Sequence, residues 1–227
     1  LGNLISRLAG RFPEHRARLE AFMPRVRETI LQLHPEISPD DVDYRYALQK
    51  SGYASLNEQW SDALAWNEKG LAISEKLANR PEPSDEVKKQ LLDAMLSESF
   101  YLLHAGKTDP EAFTKAIAIA EKAEDYAEKN YYYYQYRDWL QTNLAHAYLL
   151  RNKEGDRASA IEHYKTFMSR PSYDQDYWEL LQKDFRDLHR GGIEWPNLKE
   201  IILLIKPDRV ELSAKDWKEM GINIPSN

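Results

Sequence analysis

The 227-residue chain contains no cysteine, and it has only 9 glycines and 11 prolines. Without thiols, disulfides and thiolate metal sites are excluded, and either the cytoplasm or the periplasm suits the chain. Valine and threonine are also few, which leaves little material for a sheet, whereas Ala, Leu, Glu, Lys and Gln are abundant and favour helix. The composition therefore predicts an all-α protein, long enough for a sizeable core in one domain or two small ones.

Long apolar runs are missing as well. None approaches the roughly 20 residues that span a bilayer, and the N-terminus lacks the charged and apolar blocks of a signal peptide. No membrane insertion is expected. The chain starts at Leu1 rather than Met, as a trimmed chain or a mature form without its leader would. The expected compartment is cytoplasmic, or periplasmic if a leader was removed.

A basic face is not evident either. The richest stretch, Arg7, Arg11, Arg16, Arg18, Arg25 and Arg27, is interleaved with Glu14, Glu20 and Glu28, as on a solvated helix, and the formal charge is −6. Nucleic acid is thus not expected as a partner. Catalytic signatures are absent in the same way. The six histidines, at 15, 34, 104, 146, 163 and 189, form no H-E-x-x-H motif, so no metal site is expected. There is no G-x-S-x-G elbow and no G-x-x-x-x-G-K-[ST] phosphate loop. The reading is a non-enzyme without cofactors and with no catalytic residues.

What the chain does contain is helical periodicity. Residues 1–35 read as helix through Leu19, Phe22, Val26, Ile30 and Leu33, with a kink or split expected at Pro24. Ser38-Pro39-Asp40-Asp41 reads as a cap and an acidic first turn. Three later segments share a pattern: Trp60-Ser61-Asp62-Ala63-Leu64, Asp109-Pro110-Glu111-Ala112-Phe113 and Arg157-Ala158-Ser159-Ala160-Ile161. Ala63 and Ala112 are 49 residues apart, and Ala112 and Ala160 are 48 apart. Each alanine has a helix upstream, and Phe100 and Tyr148 each precede their alanine by twelve residues. A methyl side chain where two antiparallel helices cross lets the backbones approach, and a bulky neighbour fills the adjoining groove.

The C-terminal region continues the pattern. Residues 173–190 read as an amphipathic helix through Trp178, Leu181, Phe185 and Leu188, stopped by Gly191-Gly192. Leu198, Ile201, Ile202 and Ile205 repeat at helical spacing, although 201–205 also admits a short strand. The tail, with Trp217, Met220, Ile222 and Ile224, is expected to pack back as an irregular cap or to dock on something else. The expected organisation is N-terminal capping helices over 1–41, three hairpins over 42–171, and capping helices with a tail over 172–227.

Leu144-Ala145-His146-Ala147-Tyr148, followed by Ala160, Tyr164, Phe167 and Pro171, resembles the tetratricopeptide pattern of Leu, small residue and Tyr, then Ala, aromatic, small residue and Pro. Leu96, Ser97, Phe100 and Ala112 match more loosely, as do Ala47, Ser51, Ala63 and Gly70. Phe167 stands where that family prefers a small residue, and the period near 48 exceeds the family's 34. The resemblance implies an α-solenoid of antiparallel helical hairpins with a right-handed superhelix, whose concave face binds a protein or peptide. Carried over by position, the ligand-facing residues are Gln49 and Tyr53, Glu98 and Tyr101, and His146 and Leu149, joined by Arg45 and Trp139 from the preceding turns. Family members that clamp a terminal carboxylate use Lys, Arg and Asn at such positions, whereas Gln, Glu and His stand here. An extended or helical segment held by aromatic and amide contacts is the better fit.

Tyr131-Tyr132-Tyr133-Tyr134-Gln135-Tyr136 opens another helix. Four consecutive tyrosines must face all directions, so some pack between helices and others reach the surface, where tyrosine suits an interface. The expected function is a protein- or peptide-binding scaffold or adaptor. The alternative is a helical regulatory or positioning domain of a larger multidomain protein.

Overall fold

The computed structural model describes residues 16–35, 37–169, 177–207 and 210–222, and the described residues form helices and connecting turns with no strand. The expected all-α class is observed. The ten helices among them are α1 (Arg16–Leu33), α2 (Pro39–Leu56), α3 (Trp60–Ala78), α4 (Asp85–Ala105) and α5 (Glu111–Lys129), then α6 (Tyr133–Arg151), α7 (Asp156–Met168), α8 (Tyr177–Arg190), α9 (Leu198–Ile205) and α10 (Ala214–Glu219). The helix expected over residues 1–15, the start of the one expected from 173, and Pro171 and Ile224 lie outside the described residues. The chain divides into two compact units, Leu1–Tyr101 and Leu102–Asn227, and the division falls inside α4.

In the first unit α1 runs through Pro24 as one helix. Helix α2 starts at Pro39, whose fixed φ suits a first helical position. Ser38 precedes it with an extended backbone but makes no side-chain capping bond. The acidic first turn is used sideways instead, with Asp40 accepting from Lys76 of α3 at 3.0 Å and from Arg80, just past the end of α3, at 2.7 Å. Arg27 of α1 forms a two-pronged ion pair with Asp43 of α2.

Small residues line the α2–α3 crossing. A Cβ on Gly70 would meet the Ala47 methyl at 3.6 Å, and Ser51 donates to the Ala63 carbonyl at 2.9 Å. Ala63 itself is fully buried, as a close crossing requires. Buried polar side chains then join α4 to this pair. Tyr44 donates to the Gln90 carbonyl at 2.9 Å, and Asn67 donates to the Ala94 carbonyl at 2.9 Å.

In the second unit α5 turns a face of alanines inward, with Ala112, Ala116, Ala120, Ala123 and Ala127 all buried at i, i+4, i+8, i+11 and i+15. Helix α6 packs on that face and on α7 from its other side. It is buried at every position from Leu140 to Ala147. Ahead of α5 the turn closes on Phe113, whose ring lies where Gly106 has no side chain: a Cβ there would come within 2.2 Å of it.

The core of this unit gathers Ala145 and Leu149 of α6, Ala160, Tyr164 and Phe167 of α7, Trp178, Leu181 and Phe185 of α8, and Leu198, Ile201, Ile202 and Ile205 of α9. The 201–205 segment is therefore helix, not strand. The tail packs back, as expected, through Trp217 and Met220. It does so by a further short helix, α10, fixed by a capping box in which Ser213 and Asp216 satisfy each other's backbone N–H.

Candidate partner-binding surface

The eight positions singled out by sequence fall in both units. Three lie on α2 of the first. Arg45 is exposed, and Gln49 and Tyr53 are half-buried. The two from α4, Glu98 and Tyr101, are buried. Tyr101 packs on Ala54 and Ala63, with its ring 6.3 Å from Trp60 and 6.2 Å from Phe100. Glu98 accepts from Asn67 Nδ2 at 2.7 Å. Burial pushes its carboxyl up to about 7, opposed by the Asn67 bond and assisted by the charge of Glu68.

In the second unit Trp139 is 63% exposed, whereas His146 and Leu149 are buried. Trp139 and His146 are seven residues apart, two helical turns, and so share one face of α6. What separates them is the C-terminal part of the unit. The rings of Phe185 and Trp195 each lie 5.5 Å from the His146 imidazole and cover that end of the face. His146 Nδ1 and the Tyr164 hydroxyl are 2.7 Å apart, and Nε2 lies 3.6 Å from the Asp184 carboxylate. Burial, with Asp184 adding to it, holds the Tyr164 phenol far above its usual range.

Two further features lie outside these eight positions, and only the second was legible in the sequence. The first is a polar seam across α5, α6 and α7. Gln141 Nε2 donates to Glu124 at 2.9 Å and to the Tyr133 hydroxyl at 3.3 Å, and Gln141 Oε1 lies 2.8 Å from His163 Nδ1. An amide oxygen only accepts, so His163 carries its proton on Nδ1. The His163 ring stacks on Tyr148 at 5.6 Å, and Tyr148 donates to Glu121 at 2.8 Å. Burial and the neighbouring Glu128 raise the Glu124 carboxyl. Burial and the Glu121 bond push the Tyr148 phenol up to about 12.

The second is the surface at the start of α6. Tyr131 is 94% exposed and Tyr134 80% exposed, whereas Tyr136 is buried and Tyr132 and Tyr133 are half-buried. The run thus divides between packing and surface. Among the described residues no cluster of three or more His, Asp or Glu side chains is placed to hold a metal. No described helix is long and apolar enough to cross a membrane. No family model matches the chain, and no curated protein or solved structure shows significant similarity to it.

Proposed function

We propose that the chain is a protein- or peptide-binding scaffold or adaptor, an α-solenoid of long, divergent hairpins of the tetratricopeptide kind with a right-handed superhelix. One observation carries this reading. Ala63, Ala112 and Ala160, spaced by 49 and 48 residues, are all buried, with relative exposures of 0%, 2% and 0%. A hairpin that repeats its small residues at the close crossing leaves long outward helix faces, and repeat proteins bind through such faces.

Within this reading Arg45, Gln49 and Tyr53 contribute polar and aromatic contacts from α2, and Trp139 contributes an aromatic from α6. Glu98, Tyr101, His146 and Leu149 act from beneath by fixing the helices that carry the surface. A net charge of −6 disfavours a phosphate backbone as the ligand.

Photo-crosslinking amino acids placed singly at Arg45, Gln49 and Trp139, in cells that make the protein, test the proposal. Discrete adducts are expected from these positions and none from Lys115 or Glu154, which are also exposed. Identical adducts from all five positions, or none from the first three, would sink it.

A further inference from the structure

Tyr131 occupies a position that ordinarily belongs to glycine. Helix α5 ends in the paired bonds of a Schellman turn: the Tyr132 N–H donates to the Ala127 carbonyl at 2.7 Å and the Tyr131 N–H to the Glu128 carbonyl at 3.2 Å. The residue between adopts a left-handed backbone, and here it is a tyrosine with φ of 62°. A side chain on such a backbone is strained, and this ring, almost wholly in solvent, returns no burial. Neither the turn nor the core of the unit accounts for an aromatic there.

The neighbouring exposed residues extend the surface. At 100° per residue Tyr134, Gln135 and Trp139 fill one outward sector of about 140° at the start of α6, and all three are exposed. The Tyr134 ring meets Tyr133 edge-on at 6.0 Å, and Tyr133 feels the charges of Glu124 and Glu128. The last turns of α5 carry Glu121, Glu124, Asp125 and Glu128 against Lys122 and Lys129, and Lys129 is engaged with Asp125 at 2.6 Å. Arg137, the nearest cation on α6, turns to the Thr166 carbonyl at 2.9 Å. The aromatic surface is therefore bordered by a net negative charge.

Resting on the scaffold reading, we infer that Tyr131, Tyr134 and Trp139 dock a basic segment of a partner protein. Its arginine or lysine side chains lie over the exposed rings, and Glu124 and Glu128 supply the opposing charge. The strained tyrosine is the anchor of the contact.

Titration of the intact chain with a labelled peptide of alternating glycine and arginine, followed by fluorescence anisotropy, tests this, with a peptide of alternating glycine and glutamine as the control. Saturable binding of the arginine peptide alone is expected, weakening with added salt. Tyr131→Gly should reduce affinity about tenfold while raising the melting temperature, because glycine relieves the backbone. Glu128→Gln should weaken binding, and Glu154→Gln, the same charge change elsewhere on the unit, should not. The inference is overturned by equal binding of both peptides, by unchanged affinity in Tyr131→Gly, or by a lower melting temperature in that variant. Discrete adducts at Arg45 or Trp139 without any peptide binding would also overturn it, and would leave the scaffold reading standing.

Discussion

Glu98 lies beneath the surface, where its carboxylate accepts from the neutral amide of Asn67. Its carboxyl titrates at about 7 in the folded chain and near 4.5 in an unfolded one. The folded state therefore holds the proton more tightly. The stabilisation this gives is complete below pH 4.5 and is lost as pH rises through 7. Glu98→Gln keeps an oxygen that accepts from Asn67 and removes the charge. The variant should gain about 2 kcal/mol over the parent at pH 8, less than the full linkage value because solvent screens part of the carboxyl, and nothing at pH 4. Urea melts of both proteins at the two pH values check this. A pH-independent difference would assign Glu98 a packing role only. The sequence marks Glu98 by its place in the hairpin, but its burial depends on Asn67, 31 residues earlier, and no local pattern announces that pairing.

At the scale of the element, alanine placement carries the close crossings. Ala120 is fully buried in the middle of the alanine face that α5 turns inward, whereas Ala118 is exposed on the same helix. Ala120→Leu should destabilise by about 1–3 kcal/mol through overpacking, and Ala118→Leu by less than about 0.5 kcal/mol. Equal effects in thermal melts would mean that α6 has room to move away. Helix positions of this kind were largely legible, because apolar spacing and the recurring Ala63, Ala112 and Ala160 depend only on local periodicity. The start of α2 at Pro39 was legible for the same reason, although Asp40 reaches α3 rather than capping its own helix. The outward face of α6 was only half legible. Trp139 and His146 share a stripe, and only the return of Phe185 and Trp195 decides that one is exposed and the other buried. Those residues lie about forty or more positions downstream of His146, beyond the reach of a helical pattern.

Across the whole molecule, two buried titrating groups of opposite kind stand in different units. Glu98 belongs to Leu1–Tyr101 and His104 to Leu102–Asn227, six residues apart on one helix. Burial pulls the His104 imidazole down to about 4 from an ordinary 6.5, against the charge of Asp187, which raises it. An unfolded chain therefore takes the proton first. The stability contributed by neutral His104 is present above pH 6.5 and is lost as pH falls toward 4, the reverse of Glu98. The ring also lies against the turn after α8, where a Cβ on Gly191 would come within 2.7 Å of Nδ1, so charging it disturbs a packed contact. Acid should thus loosen the second unit and base the first. Amide hydrogen exchange, corrected for the intrinsic pH dependence, should show the lowest opening free energies within 102–222 at pH 4.5 and within 16–101 at pH 8. His104→Gln should remove the acid-side loss and leave the base-side loss unchanged. Uniform loss of protection along the chain at both pH values would show that the two groups do not govern separate units.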